Sequence, residues 1–348
     1  MPIEKITLAG LGVRFVVCCC RDIAICDILL DMAQKLDCVV CGSCVVDLLC
    51  RPVHLDQPIG AGVLHETDSV VLTGGGITLN AGVTMARLGM RVGLLSYVGN
   101  DAWAPIVQNL LKQEGIDDKL LSVHPTGKTS TTVVVIDQAG ERSFFHCVGA
   151  PKLLDADALL EHLDVLAKAK MFLLGYYSLM PNLERQLPDV LKEIRAAGCK
   201  TALDTAGTGG GLQPLDRILP HLDIYVPSVS EAKNQTGIED PRRMIDVYRD
   251  CGAPGLLGVK LGMDGVLLSP SVGEFIQIPI TQPDGTVIDT TGAGDSFYAG
   301  LLTGLIQGLS VQDAGRLGSA AAACCVTAIG GATGGRNYAF TSRLAGLQ

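Results

Sequence analysis

Residues 289–297 read DTTGAGDSF. Two aspartates flank a Gly-Ala-Gly turn, and an apolar run, YAGLLTGLIQGL, follows it. Phe297, Leu301, Leu305 and Leu309 recur every four positions, which lays them along one helical face. The glycine turn therefore feeds a helix N-terminus. Such a terminus presents unpaired N–H groups and roughly half a positive charge, and glycine lets a ligand approach the backbone closely. Asp295, in the first helical turn, has two readings. It is a carboxylate favoured by the helix dipole, or a general base that takes a hydroxyl proton while the amides hold the charge of a transferring phosphoryl group. Asp289 then shapes the loop or binds a cation.

Outward from this stretch, apolar runs of strand length alternate with segments of helical period. DCVVCGSCVVDLL (37–49) reads as one buried strand, LNAGVTMARLG (79–89) as a helix stopped by Gly89, and RVGLLSYVG (91–99) as the next strand. The alternation continues through MFLLG, LERQLPDVLKEIRAAG, KTALD, LLGVKL and GVLL. Continuous rather than alternating apolar strands imply a parallel sheet covered on both faces. Residues 48–74 and 126–148 lack helical period and are expected to form a small β flap. Residues 1–36 have no place in the pattern; they are expected to be an extension, or Met32 to be the natural start, with a single domain over 37–348.

The bulk numbers exclude more than they identify. The 348 residues carry a net charge of −9, which argues against nucleic acid or an anionic membrane as partner. Thirteen cysteines without even spacing read as reduced apolar fillers in a cytoplasmic protein. Cys38, Cys41 and Cys44 form CxxCxxC, but in a strand this spacing sends successive thiols to opposite faces. The six histidines show no metal-binding spacing; His65 and His146 fall in the expected flap, where they could touch a substrate, as could Arg142. LAGLG (8–12) lacks the spacing of a dinucleotide loop, and TGGG (208–211) reads as a flexible loop.

DTTGAGDSF closely resembles the C-terminal motif of the ribokinase-like (PfkB) family of carbohydrate and nucleoside kinases. TGGGITLNAGVTMARLGMRVGLLSYVGND (73–101) resembles that family's early double-glycine motif, PSVSEA (227–232) its PNxxEA segment, and VKLGMDG (259–265) its later nucleotide loop. The resemblance covers about residues 37–336. It implies a three-layer α/β/α fold with a mostly parallel central sheet and a small β lid. It implies ATP and Mg²⁺ as cofactors, with Asp295 as general base and Gly292, Ala293 and Gly294 as anion hole. Asp47, Gly75, Gly76 and Asn80 would hold substrate hydroxyls, and Ser228, Lys260, Gly262 and Gly265 would lie near the nucleotide. Glu231 would place Mg²⁺ through water, and Asp289 and Thr291 match a loop that binds K⁺ in some members. Ser228 stands where the family has Asn, and LDTAGTGGG (203–211) replaces a common Asp-Pro-Asn stretch.

The expected activity is phosphorylation of a hydroxyl on a small sugar or sugar acid. The alternatives are a nucleoside kinase and a non-catalytic sugar- or nucleotide-binding protein on the same fold. An exposed lid face offers a route to a homodimer.

Overall fold

The computed structural model describes residues 35–347 apart from 56–59, 61, 139 and 208. The expectations for residues 1–34, including Met32 and the LAGLG loop, lie outside the described residues.

Seven strands form the parallel body of the main sheet. In chain order they are β1 (Cys38–Gly42), β4 (Val92–Gly99), β5 (Leu121–His124), β8 (Met171–Gly175), β9 (Lys200–Leu203), β10 (Ile224–Tyr225) and β11 (Leu256–Lys260). Across the sheet they run β11-β10-β9-β8-β1-β4-β5, and β12 (Val266–Ser269) and β13 (Ile276–Ile278) add an antiparallel edge beyond β11. Both faces are covered, as continuous apolar strands require. The register shows it in β1: Val39 and Cys41 join one core cluster, Cys38 and Val40 the other. The chain is thus an α/β fold of three layers.

Four further strands make the lid sheet: β2 (Val45–Arg51), β3 (Ser69–Gly75), β6 (Ser130–Ile136) and β7 (Arg142–Cys147). Their order is β3-β2-β6-β7, with β2 and β6 parallel and both outer pairs antiparallel. Pairing fixes the faces. Asp47 lies opposite Thr132 and Thr132 opposite His146, while Leu49, Val134 and Phe144 follow one step on. These six share the inner face; Val70, Leu72 and Phe145 alternate to the outer one and stay exposed.

One expectation needs correction. Residues 37–49 are not one strand but two, in different sheets. The break is at Gly42, whose φ of +129° is open to glycine, and a β-carbon there would collide with the Gly175 carbonyl. The chain leaves the main sheet at this point and enters the lid, carrying Asp47 with it. Of the CxxCxxC thiols, Cys38 and Cys41 lie in β1 and Cys44 falls in the connection to β2. Cys38 and Cys41 lie on opposite faces, burial pushes all three thiols up, Cys44 to about 12, and among the described residues no group of three or more metal-binding side chains occurs.

Candidate active site

Two helix N-termini, the end of β8 and the inner face of the lid surround one cavity of about 260 Å³. It lies at the C-terminal ends of the parallel strands, where open α/β sheets place their ligands. The first terminus belongs to the helix Gly76–Arg87. Gly76 enters it with φ +73°, and a β-carbon there would strike the Ser43 carbonyl. One turn on, Asn80 projects its side chain into the cavity wall. The second terminus belongs to the helix Ala293–Ile306, capped by Gly292 at φ +74°. A β-carbon on Gly292 would hit the Gly331 carbonyl, so this turn needs glycine on two counts.

Asp295 sits in the first turn of that helix, 5% exposed. Its Oδ2 accepts hydrogen bonds from Asn80 Nδ2 at 2.7 Å and from the Tyr176 hydroxyl at 2.8 Å. Both donors line the cavity, so Asp295 stands directly behind them. Burial raises its pKa, and the Asn80, Tyr176 and Lys260 contacts only partly oppose the rise. The result is a buried carboxylate more basic than one in water. Asn80 Oδ1 is buried without a partner and is an acceptor in need of a donor.

Asp47 faces the same cavity from the lid. Burial pushes its pKa up to about 6, against a hydrogen bond from Thr132. Gly75 is essential to this placement, because a β-carbon there would occupy the position of the Asp47 carboxylate. Thr132 and His146 bond each other at 3.0 Å beside it, and burial lowers the His146 pKa, favouring the neutral ring. His65 does not line the cavity.

On the other side of the Gly292 turn lies a charged group. Lys260 Nζ is 3.4 Å from the Asp204 carboxylate and 5.5 Å from the Tyr298 ring centre. It is 3.5 Å from the point a Gly294 β-carbon would occupy, so the bare turn leaves the ammonium beside the helix N-terminus. Burial disfavours the Lys260 charge, but Asp204, Glu231 and Asp295 more than reverse this and keep it protonated. Ser228 caps the helix Val229–Thr236 in a reciprocal box: its backbone N–H and its hydroxyl both reach Glu231 Oε2 at 2.7 Å. Serine is thus the residue that anchors Glu231 here. A Mg²⁺ held mainly by phosphate oxygens and water would suit such a site, because Glu231 has one carboxylate oxygen already engaged by Ser228. Gly262 and Gly265 lie in the hairpin between β11 and β12. Gly265 has φ +84° and backs onto the Ile278 carbonyl, so the turn requires glycine there.

The Asp289–Thr291 loop is occupied by protein. Arg142 Nη2 reaches Asp289 Oδ1 at 2.8 Å, and Nη1 donates to Thr291 Oγ1 at 2.8 Å. Asp289 also accepts the Thr291 and Gly330 N–H groups. Its two side-chain oxygens and that of Thr291 are already bonded, and a K⁺ there would face a guanidinium. The K⁺ expectation does not fit these residues.

Tyr176 went unnoticed in the sequence. Its signal was position: it follows β8 directly, at the ligand-binding end of a central parallel strand. It also holds φ +61°, an uncommon backbone for tyrosine that points to a function.

The pfkB family carbohydrate kinase model matches residues 35–336. A 1-phosphofructokinase from Haloferax volcanii is 31% identical over 272 residues, covering 76% of this chain and 84% of that protein. A ribokinase from Haemophilus influenzae is 29% identical over 260 residues, covering 73% and 81%. The structure of Arabidopsis thaliana ribokinase complexed with ribose and ATP superposes with a TM-score of 0.76 at 23% identity, covering 90% of this chain and 100% of that one. The chain belongs to the pfkB family of carbohydrate kinases, on the ribokinase-like fold.

Proposed function

We propose that this kinase transfers the γ-phosphoryl group of ATP to a hydroxyl of a small, uncharged sugar. The observation that carries the reading is the lining of the cavity. Asp47, Asn80, Thr132, His146 and Tyr176 face it, and no lysine or arginine is among its lining residues. Hydroxyl groups suit short carboxylate and amide partners. A sugar acid or sugar phosphate would instead meet the Asp47 carboxylate on the lid with no cation beside it, the nearby Arg142 guanidinium being engaged by Asp289 and Thr291. A volume of about 260 Å³ falls just below the usual range for ligand pockets and favours a monosaccharide over a nucleoside.

The positions of these residues in and behind the cavity wall support the following roles. Asp47 and the orphaned Asn80 Oδ1 accept from sugar hydroxyls, which orients the ring. Asp295 takes the proton of the acceptor hydroxyl as its oxygen bonds to the γ-phosphorus, while the bond from that phosphorus to the bridging oxygen breaks and ADP leaves with the electron pair. The amides of the Gly292 turn and the Lys260 ammonium stabilise the charge in flight. Mg²⁺, placed with the help of Glu231, would offset the charge of the nucleotide phosphates. Asn80 and Tyr176 hold Oδ2 of the base and leave Oδ1 for the proton. The exposed outer lid face, with Val70, Leu72 and Phe145, is where a second copy would pack.

A panel of neutral sugars, sugar acids, sugar phosphates and nucleosides, assayed for ADP release, tests this. Turnover confined to neutral sugars is expected. Preferred turnover of a sugar acid, sugar phosphate or nucleoside overturns the substrate class, and binding without turnover overturns the kinase assignment.

A further inference from the structure

Arg142 is the first residue of β7 and pairs with Ile136, on the inner register of the lid. Its guanidinium crosses to the main body and ends on Asp289 and Thr291, the residues immediately before the Gly292 turn. Asp289 is 4% exposed and spans further, through the Gly330 N–H, to the segment whose Gly331 packs on both Gly292 and Asn80. A buried carboxylate at this point needs a cation or several donors to remain ionised. Here a side chain from the lid supplies the cation.

We propose that Arg142 is a positioning residue that serves as the resident cation of the anion-hole loop, so that the lid must be seated before the Gly292 turn takes its working shape, and that the enzyme consequently runs without a monovalent metal ion. The inference rests on the kinase reading for its kinetic half and on geometry alone for its structural half. The guanidinium makes two parallel contacts, one to each side chain of the loop, a geometry suited to arginine and unavailable to lysine. Opening the lid withdraws both contacts together. The lid thereby reports its position to the phosphate-binding backbone without touching the phosphate.

The test uses the full chain in tetramethylammonium buffers with and without K⁺ at constant ionic strength. Wild-type kcat is expected to be indifferent to K⁺. Arg142→Ala should lose on the order of 100-fold in kcat, the scale of a lost oxyanion donor, with the KM for ATP little changed. K⁺ should restore part of that loss by entering the vacated loop. Melting temperature gives a readout independent of any substrate: K⁺ should leave wild type unmoved and raise Arg142→Ala. Should Arg142→Ala fail to fold, Arg142→Lys takes its place, with reduced kcat and a K⁺-insensitive melting temperature expected. Stimulation of the wild type by K⁺, wild-type kcat in Arg142→Ala, or a K⁺-induced melting shift in wild type equal to that of the variant overturns the proposal. If no sugar on the panel is phosphorylated, the kinase reading fails while the melting comparison still decides the role of Arg142.

Discussion

The two sides of the Gly292 turn carry the same residue type, both nearly closed to solvent, yet with opposite electrostatics, and Asp295 is packed in more deeply by protein than Asp289. Asp289 before the turn is 4% exposed and Asp295 after it is 5% exposed. Burial raises the pKa of both, but Asp289 ends below the ordinary carboxylate value and Asp295 above it. The difference lies in the heavier desolvation of Asp295 and in the donors. Asp289 receives two backbone N–H groups and a guanidinium directed at it. Asp295 receives a neutral amide and a phenol, and the Lys260 charge near it is shared with Asp204 and Glu231. A dedicated cation with N–H donors outweighs desolvation; two neutral donors do not. The first aspartate is locked as an anion and serves as structure, and the second is left able to take a proton.

The hardest way to break this contrast is to remove the second carboxylate. Asp295→Asn keeps the size and an acceptor for Asn80 and Tyr176, so circular dichroism and sugar binding should match wild type. Turnover should fall on the order of a thousandfold, as for loss of a general base. A kcat near wild type would make Asp295 a helix-terminal carboxylate and nothing more.

A smaller change sharpens it. Tyr176→Phe removes one of the two donors on Oδ2. The Tyr176 hydroxyl lowers the Asp295 pKa, so its loss should raise that pKa further. The acid limb of the kcat–pH profile should then move to higher pH, by about one unit for a hydrogen bond to a charged group. An acid limb that stays in place separates Asp295 from the group that titrates in turnover.

Much of this site was readable before the fold was known, and the residues show why. The glycine turn, Asp295 and Asn80 belong to local motifs, because a helix N-terminus needs a few particular residues at fixed spacing. Their contacts are another matter. Tyr176 meets Asp295 across 119 positions of chain, and Arg142 meets Thr291 across 149. No periodicity encodes such pairs; they exist only once the sheet and lid are assembled. The split of 37–49 was hidden for a related reason. Both halves are apolar and β-branched, and only the clash at Gly42 decides that they belong to different sheets. The K⁺ loop shows the reverse failure: Asp289 and Thr291 match the pattern residue for residue, yet a distant arginine fills the space.

The smallest expected effect concerns Asp47, which extends the contrast into the lid. Its pKa of about 6 comes from burial, opposed by Thr132. The folded state therefore holds this proton more tightly than the unfolded chain, whose carboxyl keeps its ordinary value near 3.8. Its contribution to stability is present in acid and is lost as pH rises through about 6. The proposed sugar binding runs the other way. In that role the ionised form accepts from sugar hydroxyls and the protonated form accepts less well, so KM should climb as pH falls through the same range. Asp47→Asn should flatten both trends at once, at the cost of a KM raised about tenfold, the scale of a charged hydrogen bond lost from a binding site. Melting temperature, followed between pH 3.8 and about 6, and KM, followed through about 6, provide the comparison for both proteins. If the variant keeps the wild-type pH dependence of KM, another group governs sugar binding, and Asp47 belongs with Asp289 among the carboxylates that only hold structure.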